Sequence, residues 1–436
     1  LTVRPVFDVV IWRAPSPGGD GRLEATMASV QAQLYPPGQV RVVKDAQALG
    51  PLLGALSDWC VVVREGDLLA PHALYWIAEQ IGKAPDVHMV YADHDYLSDT
   101  GERFDPQFKP DWSQELLRAC DYLAGTFAFH APRLKAPFSP DQPPISCLHD
   151  LALRLSEATD ARHIAHIPAL LWHLSYTGHT AEGGGTASHP VRSHLHRLGI
   201  AAQVTELDAR NWCVRYALPA RLPSVTIIIP TRDGLPVLRP CVDSVLEKTR
   251  YPDFDVLIVD NGSVMPETLA YFSALRDDAR VQILRDERPF NYSALNNGAV
   301  ARARGELVCL LNNDTEVITP DWLSEMVANL MQPGVGVVGA KLYYSDGRVQ
   351  HAGDVVGPGG CADHLHNGIA REDPGYMRRA SLRQELSAVT AACLLTHRAL
   401  YQRLGGLDEH NLPVAFNDVD YCLRVRATGV RIVWTP

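Results

Sequence analysis

The second half of the chain alternates short apolar runs with segments of helical spacing. Residues 224–230, SVTIIIP, form a continuous β-branched run ending at proline, the pattern of a strand buried on both faces. Residues 240–249 carry Val242, Val245 and Leu246 at helical spacing. Residues 255–260, DVLIVD, predict a second strand, with Asn261-Gly262-Ser263 as its turn. Then follow a helix over 267–275, a strand over 281–284, an Ala-rich helix over 293–304, a strand over 306–311, a helix over 320–330 and a strand over 336–342. Strands that alternate with helices predict an α/β fold with a doubly wound, mainly parallel sheet.

The first half reads as a worn copy of the second. Strands are predicted over 7–12, 39–43, 59–63 and 87–92, and helices over 23–34 and 71–81. Ala70-Pro71-His72-Ala73-Leu74 parallels Thr319-Pro320-Asp321-Trp322-Leu323, and Asp150-Leu151-Ala152-Leu153-Arg154 parallels Asp420-Tyr421-Cys422-Leu423-Arg424. Two matches in the same order support an internal repeat. Prolines bracket 217–224, ALPARLPS, before a fresh strand, so the expected domains are 1–217 and 218–436. The Gly-rich run 182–186 is expected to be a flexible excursion within the first.

Composition narrows the class. With 436 residues, two or three domains are expected. The formal net charge of −10 argues against nucleic acid as a partner. No apolar run reaches bilayer length, so no transmembrane segment is expected and any membrane contact is peripheral or through a partner or missing segment. The start, LTVRPVFDVV, is too short in its apolar run for a signal peptide and lacks Met, which reads as a fragment. Nine cysteines without CxxC pairing read as reduced thiols of a cytosolic protein.

Candidate chemistry lies at three strand ends: Thr231-Arg232-Asp233, Asp260-Asn261-Gly262-Ser263 and Asn312-Asn313-Asp314. Alone, each reads as a turn. In a doubly wound sheet they fall along one edge, where ligands bind. Neither GxxxxGK[ST] nor GxGxxG after the first strand is present, so a diphosphate would be neutralised by other means. A carboxylate at a strand end can hold Mg²⁺ or Mn²⁺ against phosphate oxygens.

At this point the residues resemble a known family. IIIPTRD, LIVDNGS, FNYSALNNGA, ARGELVCLLNNDTEV and FNDVDYCLRV occur in the order of a family 2 glycosyltransferase domain of the GT-A fold, and the likeness covers the second half. GDLLAPHALYW and RFDPQFKPDW followed by DLALR make the first half resemble a second, degenerate GT-A copy. Such tandem chains are similar to bacterial enzymes of rhamnose-containing or O-antigen-type polysaccharide synthesis, which implies a cytoplasmic place, with the inner face of the plasma membrane as a point of contact.

The resemblance implies roles. Thr231, Asp233 and Asp260, with Asn261, would line the nucleotide pocket, Asp260 contacting base or ribose. Asn296 and Asn297, with Gly298, would face the nucleotide sugar. Asn312-Asn313-Asp314 takes the place of the DxD motif, with Asp314 as the metal ligand for Mg²⁺ or Mn²⁺. Asp418, beside Asn417, would be the general base that takes the acceptor hydroxyl's proton as the nucleotide diphosphate leaves. The donor is a nucleotide-diphosphate sugar and the acceptor a glycan or lipid-linked sugar. The first of the DxD acids is replaced by Asn312, so metal binding would rest on Asp314.

The first half departs further. Glu65 and Asp67 are the remaining acids near its DxD place, Leu148 stands opposite Asp418, and Val43-Lys44-Asp45 is the nearest counterpart of the DNGS turn. It is therefore expected to be non-catalytic; the opposing reading is a second site using Asp67, Asp93, Asp95 or Asp150. Pro436 aligns with Pro168, and the first copy continues to His173, a family metal-ligand position, so the counterpart in the second copy is expected beyond Pro436. Cys361-Ala362-Asp363-His364-Leu365-His366 is too bunched for a zinc site and reads, with Gln350-His351-Ala352-Gly353, as a loop near the acceptor. Trp112, Trp172 and Trp322 read as packing residues. Two other classes stay open: a nucleotidyltransferase using Arg232 or Lys341, and a non-catalytic glycan-binding or assembly subunit.

Overall fold

The computed structural model describes residues 4–13, 21–44, 46–56, 58–134, 146–176, 189–208 and 210–436. The Gly-rich run at 182–186, Asp45 of the weak turn counterpart and the first three residues of the N-terminal stretch lie outside them. The chain divides into two units, Leu1–Val214 and Arg215–Pro436.

In the second unit the strand Val225–Thr231 is buried along its whole length. It pairs in parallel with Phe254–Asp260 on one side and Leu307–Leu311 on the other. Alternate residues serve opposite faces. Ile227 and Ile229 pack on Leu238, Val242 and Val245, while Ile228 packs on the face that holds Leu295 and Ala299. Each buried isoleucine contributes about 1.5–3 kcal/mol. The sheet runs Val281–Arg285, Phe254–Asp260, Val225–Thr231, Leu307–Leu311, Cys393–His397, Val335–Ala340, Arg431–Thr435, Gln384–Glu385. The three strands whose ends carry the polar residues are therefore neighbours.

The sheet is less parallel than the pattern predicts. Cys393–His397 is inserted antiparallel to both Leu307–Leu311 and Val335–Ala340. CLLTH is a short apolar run whose spacing says nothing of its direction. The helix expected from 240 begins earlier, at Leu235, and runs to Lys248. Asp233 (φ 50) and Gly234 (φ 65) both take the left-handed conformation and turn the chain from strand into helix, which Asp tolerates better than most side chains. Pro236 lies in the first turn, where a missing amide costs least.

The first unit repeats this pairing. Gln39–Val43 and Trp59–Arg64 flank Phe7–Trp12 in parallel. Phe127–His130 is antiparallel to Trp59–Arg64 and to Met89–Leu97, which pairs in parallel with Ile164–Ser175. The same order of parallel and antiparallel neighbours runs from Phe254–Asp260 to Arg431–Thr435 in the second unit. The second local match is also a match of contacts: Asp150 pairs with Arg154 at 2.6 Å and Asp420 with Arg424 at 2.7 Å, each one helical turn apart. Two tandem α/β units with the same strand pairing result.

The described cysteines form no disulfide, and Cys60, Cys241, Cys309, Cys393 and Cys422 are buried as thiols. No helix among the described residues is long and apolar enough to cross a membrane. Trp172 is fully buried, and Trp322 donates its indole N–H to Thr249 Oγ1 at 3.0 Å, so both pack.

Candidate active site

One cavity of about 690 Å³ opens beyond the neighbouring strand ends of the second unit, a size that suits a ligand of a few hundred daltons or more. Thr231, Arg232, Asn261, Asn312, Asn313 and Asp314 line one part, and Asp418 another. Asn313 donates its amide to Thr231 Oγ1 at 2.9 Å, tying the fourth strand's end to the first. Thr315 donates its hydroxyl to the carbonyl of Asn312 at 2.8 Å, which makes the segment a turn as well as a cavity wall. Asp314 is exposed, and its carboxylate accepts no hydrogen bond from a described residue.

Asp418 is the second residue of the helix Asn417–Ala427. Its Oδ2 accepts the Ala391 amide at 2.9 Å, and its Oδ1 the amide of Val419. The residue before the helix, Phe416, has φ 59 and no side-chain cap. Phe290, Val414 and Phe416 add exposed apolar surface to the cavity wall.

Asn261 is buried on the cavity wall. Its Nδ2 holds the carbonyls of Asp286 and Arg288 at 2.9 and 2.8 Å, and its Oδ1 has no partner.

Four residues named from the sequence are engaged elsewhere and are not on this cavity's lining. Asp233 Oδ1 accepts the amides of Val264 and Met265 at 2.9 and 2.8 Å, clamping the loop after the second strand. Asp260 accepts the Ser263 amide through Oδ1 and Arg285 Nη1 through Oδ2. Asn296 is fully buried and donates to the carbonyl of Tyr292 at 2.8 Å. Asn297 uses both ends of its amide: Oδ1 accepts from Tyr401 and from the Leu407 amide, and Nδ2 donates to the Leu407 carbonyl and Glu409.

The pattern of the sequence did not single out Tyr292. Its hydroxyl donates to Asn312 Oδ1 and to the Ala391 carbonyl, both at 3.2 Å, so it links the Asp314 turn to the segment that holds Asp418. Burial first, then the nearby Asp418, pushes its phenol well above the usual range, so it stays protonated as a donor. Its place four residues before Asn296 was the available signal.

The loops set aside as near-acceptor segments meet on the same wall. Asp354 and His364 line the cavity, and His351 lies behind them. Of the run Cys361–His366 only His364 joins a cluster of possible ligands, with His351 and Asp354: the strand pair Asp354–Val356 and Ala362–His364 sets Asp354 opposite His364, a partnership that linear spacing hides.

With this geometry in place, comparison with known proteins assigns a family. Residues 226–405 match the model of Glycosyl transferase family 2. The second unit is a family 2 glycosyltransferase domain.

An uncharacterized protein of Sinorhizobium fredii is 44% identical over 402 residues, 88% of this chain and 43% of that protein. The O-antigen biosynthesis protein RfbC of Myxococcus xanthus is 40% identical over 388 residues, 85% of this chain and 29% of that one. The chain therefore spans less than half the length of either relative. Among solved structures, a mannosyltransferase of Pyrobaculum calidifontis in complex with GDP-Man and Mn²⁺ has a TM-score of 0.37 and 21% identity, covering 50% of this chain and 56% of that one. The matched span of the glycosyltransferase domain holds the strand ends and the Asp314 turn, and Asp418 lies just beyond it.

Proposed function

We propose that the second unit moves a sugar from a nucleotide-diphosphate sugar to a glycan or lipid-linked acceptor, with inversion, in bacterial surface polysaccharide synthesis. The observation that carries the reading is a single cavity lined by both Asp314 and Asp418. Inverting transfer needs a proton acceptor on the hydroxyl's side and charge neutralisation on the leaving group's side. Two carboxylates on separate parts of one wall suit that division.

Asp418 takes the proton of the attacking hydroxyl, held in aim by the Ala391 amide. Asp314 would hold Mg²⁺ or Mn²⁺: its carboxylate has no hydrogen-bonded partner, and hard cations of this kind commonly use one or two carboxylates plus phosphates and water. When bound, the ion neutralises charge developing on the diphosphate. Arg232, exposed on the same wall, adds a cation for that diphosphate. Asn313 and Thr231 hold the two strand ends together, and Asn312 orients Tyr292. Asp233 and Asp260 support the nucleotide side from behind through the 260–265 loop.

The first unit is read as non-catalytic. Leu148, in the place of Asp418, is buried and lies against Gly125. Glu65, near the place of the DxD acids, pairs with Arg13 at 3.1 Å. The name of the Myxococcus relative supports the polysaccharide setting, and action at the inner face of the plasma membrane follows from that setting.

A screen of nucleotide sugars, reading nucleotide release with Mg²⁺ or Mn²⁺ and then transfer to glycan acceptors, tests the proposal. One donor is expected to be turned over by the chain and not by its Asp418→Asn variant. Failure to bind or turn over any nucleotide sugar, with the protein folded, rejects it.

A further inference from the structure

His351 closes the short strand Val349–His351, and three residues later Asp354 opens the next, paired to Ala362–His364. Nδ1 of His351 is 3.0 Å from Nδ1 of His364, which is 2.5 Å from Oδ1 of Asp354; that oxygen is 3.6 Å from Nδ1 of His351. His351 and Asp354 are buried and His364 is half-buried.

Protons alone serve this triangle poorly. The Thr390 amide points at Nε2 of His351, which puts that ring's hydrogen on Nδ1, directed at His364. Nδ1 of His364 must then present its lone pair to His351, and has no hydrogen left for Asp354. The contact between His364 and Asp354 then needs a protonated carboxyl. A cation at the centre lets all three of these atoms offer lone pairs, and gives up the long Thr390 contact instead.

The spacing suits such an ion. Tetrahedral zinc, with bonds of about 2.0–2.1 Å, sets ligand atoms roughly 3.3–3.4 Å apart, and the three edges here run from 2.5 to 3.6 Å. The short edge belongs to His364, on the partly exposed hairpin, which can yield. Coordination through Nδ1 moves the His351 proton to Nε2, and the Thr390 contact it displaces is already long at 3.4 Å. Two imidazoles and one carboxylate favour a transition ion over Mg²⁺.

We propose that His351, Asp354 and His364 form a divalent metal site of the zinc type, separate from Asp314. Three protein ligands leave a position open. Asp354 and His364 line the cavity that Asp418 also lines, so an oxygen donor such as an acceptor hydroxyl is the ligand class that position takes. Metal binding here does not depend on the transferase reading, and the donor screen tests that reading separately.

The full chain, stripped with chelator, is titrated with Co²⁺ and then Zn²⁺. One equivalent of Co²⁺ is expected to give visible ligand-field bands, to be displaced by Zn²⁺, and to bind equally to the Asp314→Asn variant. Loss of an outer-shell partner alone costs about 10–100-fold in metal affinity, so the His351→Ala/His364→Ala double variant is expected to bind at least about tenfold more weakly. His364→Cys adds a near-ultraviolet thiolate-to-cobalt band that the parent chain lacks, and it decides the matter if the double variant does not fold. No stoichiometric cobalt spectrum from the folded parent, no effect of the double substitution in a folded variant, or no new band from His364→Cys overturns the proposal.

Discussion

Arg285 Nη1 sits 2.6 Å from Oδ2 of Asp260, and the carboxylate's other oxygen accepts the Ser263 amide at 2.8 Å. The carboxylate is buried, whereas Arg285 reaches it from the exposed end of the neighbouring strand. Both oxygens are thus paired within the protein, and Asp260 acts first as the anchor of the 260–265 loop. Removing the guanidinium leaves a buried carboxylate short of its partner and loosens that loop. Arg285→Ala is expected to raise the donor KM about tenfold with little change in kcat, the signature of lost uniform binding. Steady-state kinetics with a nucleotide titration checks this; an unchanged KM and nucleotide affinity would remove Asp260 from the nucleotide side.

Asp418→Asn keeps the side chain's shape and an oxygen for the Ala391 amide, but removes the proton acceptor. General-base losses run to about 10²–10⁴-fold in rate, so kcat is expected to fall by that much while donor affinity holds. Asp314→Asn is expected to act on the other term, weakening metal-dependent donor binding. Single-turnover transfer and nucleotide binding, with and without Mn²⁺, separate the two. Residual transfer in Asp418→Asn near the parent rate would contradict both its role and the silence of the first unit.

Asn297 joins its helix, Tyr292–Val300, to the helix Arg398–Arg403 through one hydrogen bond and to the loop after it through three. Gly406 passes so close that a Cβ there would stand 2.2 Å from Asn297 Oδ1. Asn297→Ala strands the Leu407 amide and the Tyr401 hydroxyl. Stranded buried polar groups cost about 1–3 kcal/mol each, and part is recovered by solvent, so a loss of about 2–4 kcal/mol is expected. Chemical denaturation of parent and variant reads it directly; equal midpoints would return Asn297 to a ligand-contact role.

These contrasts show which parts of the molecule could be read from the chain. The apolar runs at Ile227–Ile229 and Val256–Ile258 announce buried strands, and polar residues straight after them announce an edge where ligands bind. Local pattern carries that much because side-chain period is a local property. Partnership is not local. Asp260 looks free until the next strand brings Arg285 to it, and Asn297 looks like a site residue until the 405–409 loop folds over it. Asp354 and His364 are ten residues apart and meet through the register of a hairpin. Tyr292 reads as an ordinary helix residue until its hydroxyl is seen bridging Asn312 and Ala391.

The first unit carries an acid-sensitive cluster. His194 Nδ1 donates to Glu157 Oε1 at 2.8 Å, and Arg197 reaches both carboxylate oxygens. Arg118 donates to His194 Nε2, so the imidazole is used as a neutral ring. Burial is the largest influence on both groups. It holds His194 below the usual imidazole range. For Glu157 burial pulls upward, but hydrogen bonds from His194 and Arg197 outweigh it and hold the carboxyl below its usual range. Both folded values are depressed, so in each case the unfolded chain takes up the proton first as pH falls. The stability each group contributes is complete above its unfolded pKa and is lost below it. Loss begins as pH falls through about 6.5 for His194 and continues through about 4.3 for Glu157. Hydrogen exchange of the helices Ser146–Glu157 and His189–Arg197, corrected for intrinsic rates, is expected to show constant protection from pH 8 to about 7 and falling protection below about 6.5. His194→Gln is expected to remove the first step and keep the lower one, which distinguishes the two groups. Protection that stays level down to about pH 5 in the parent chain would show that the pair contributes nothing to holding these helices together.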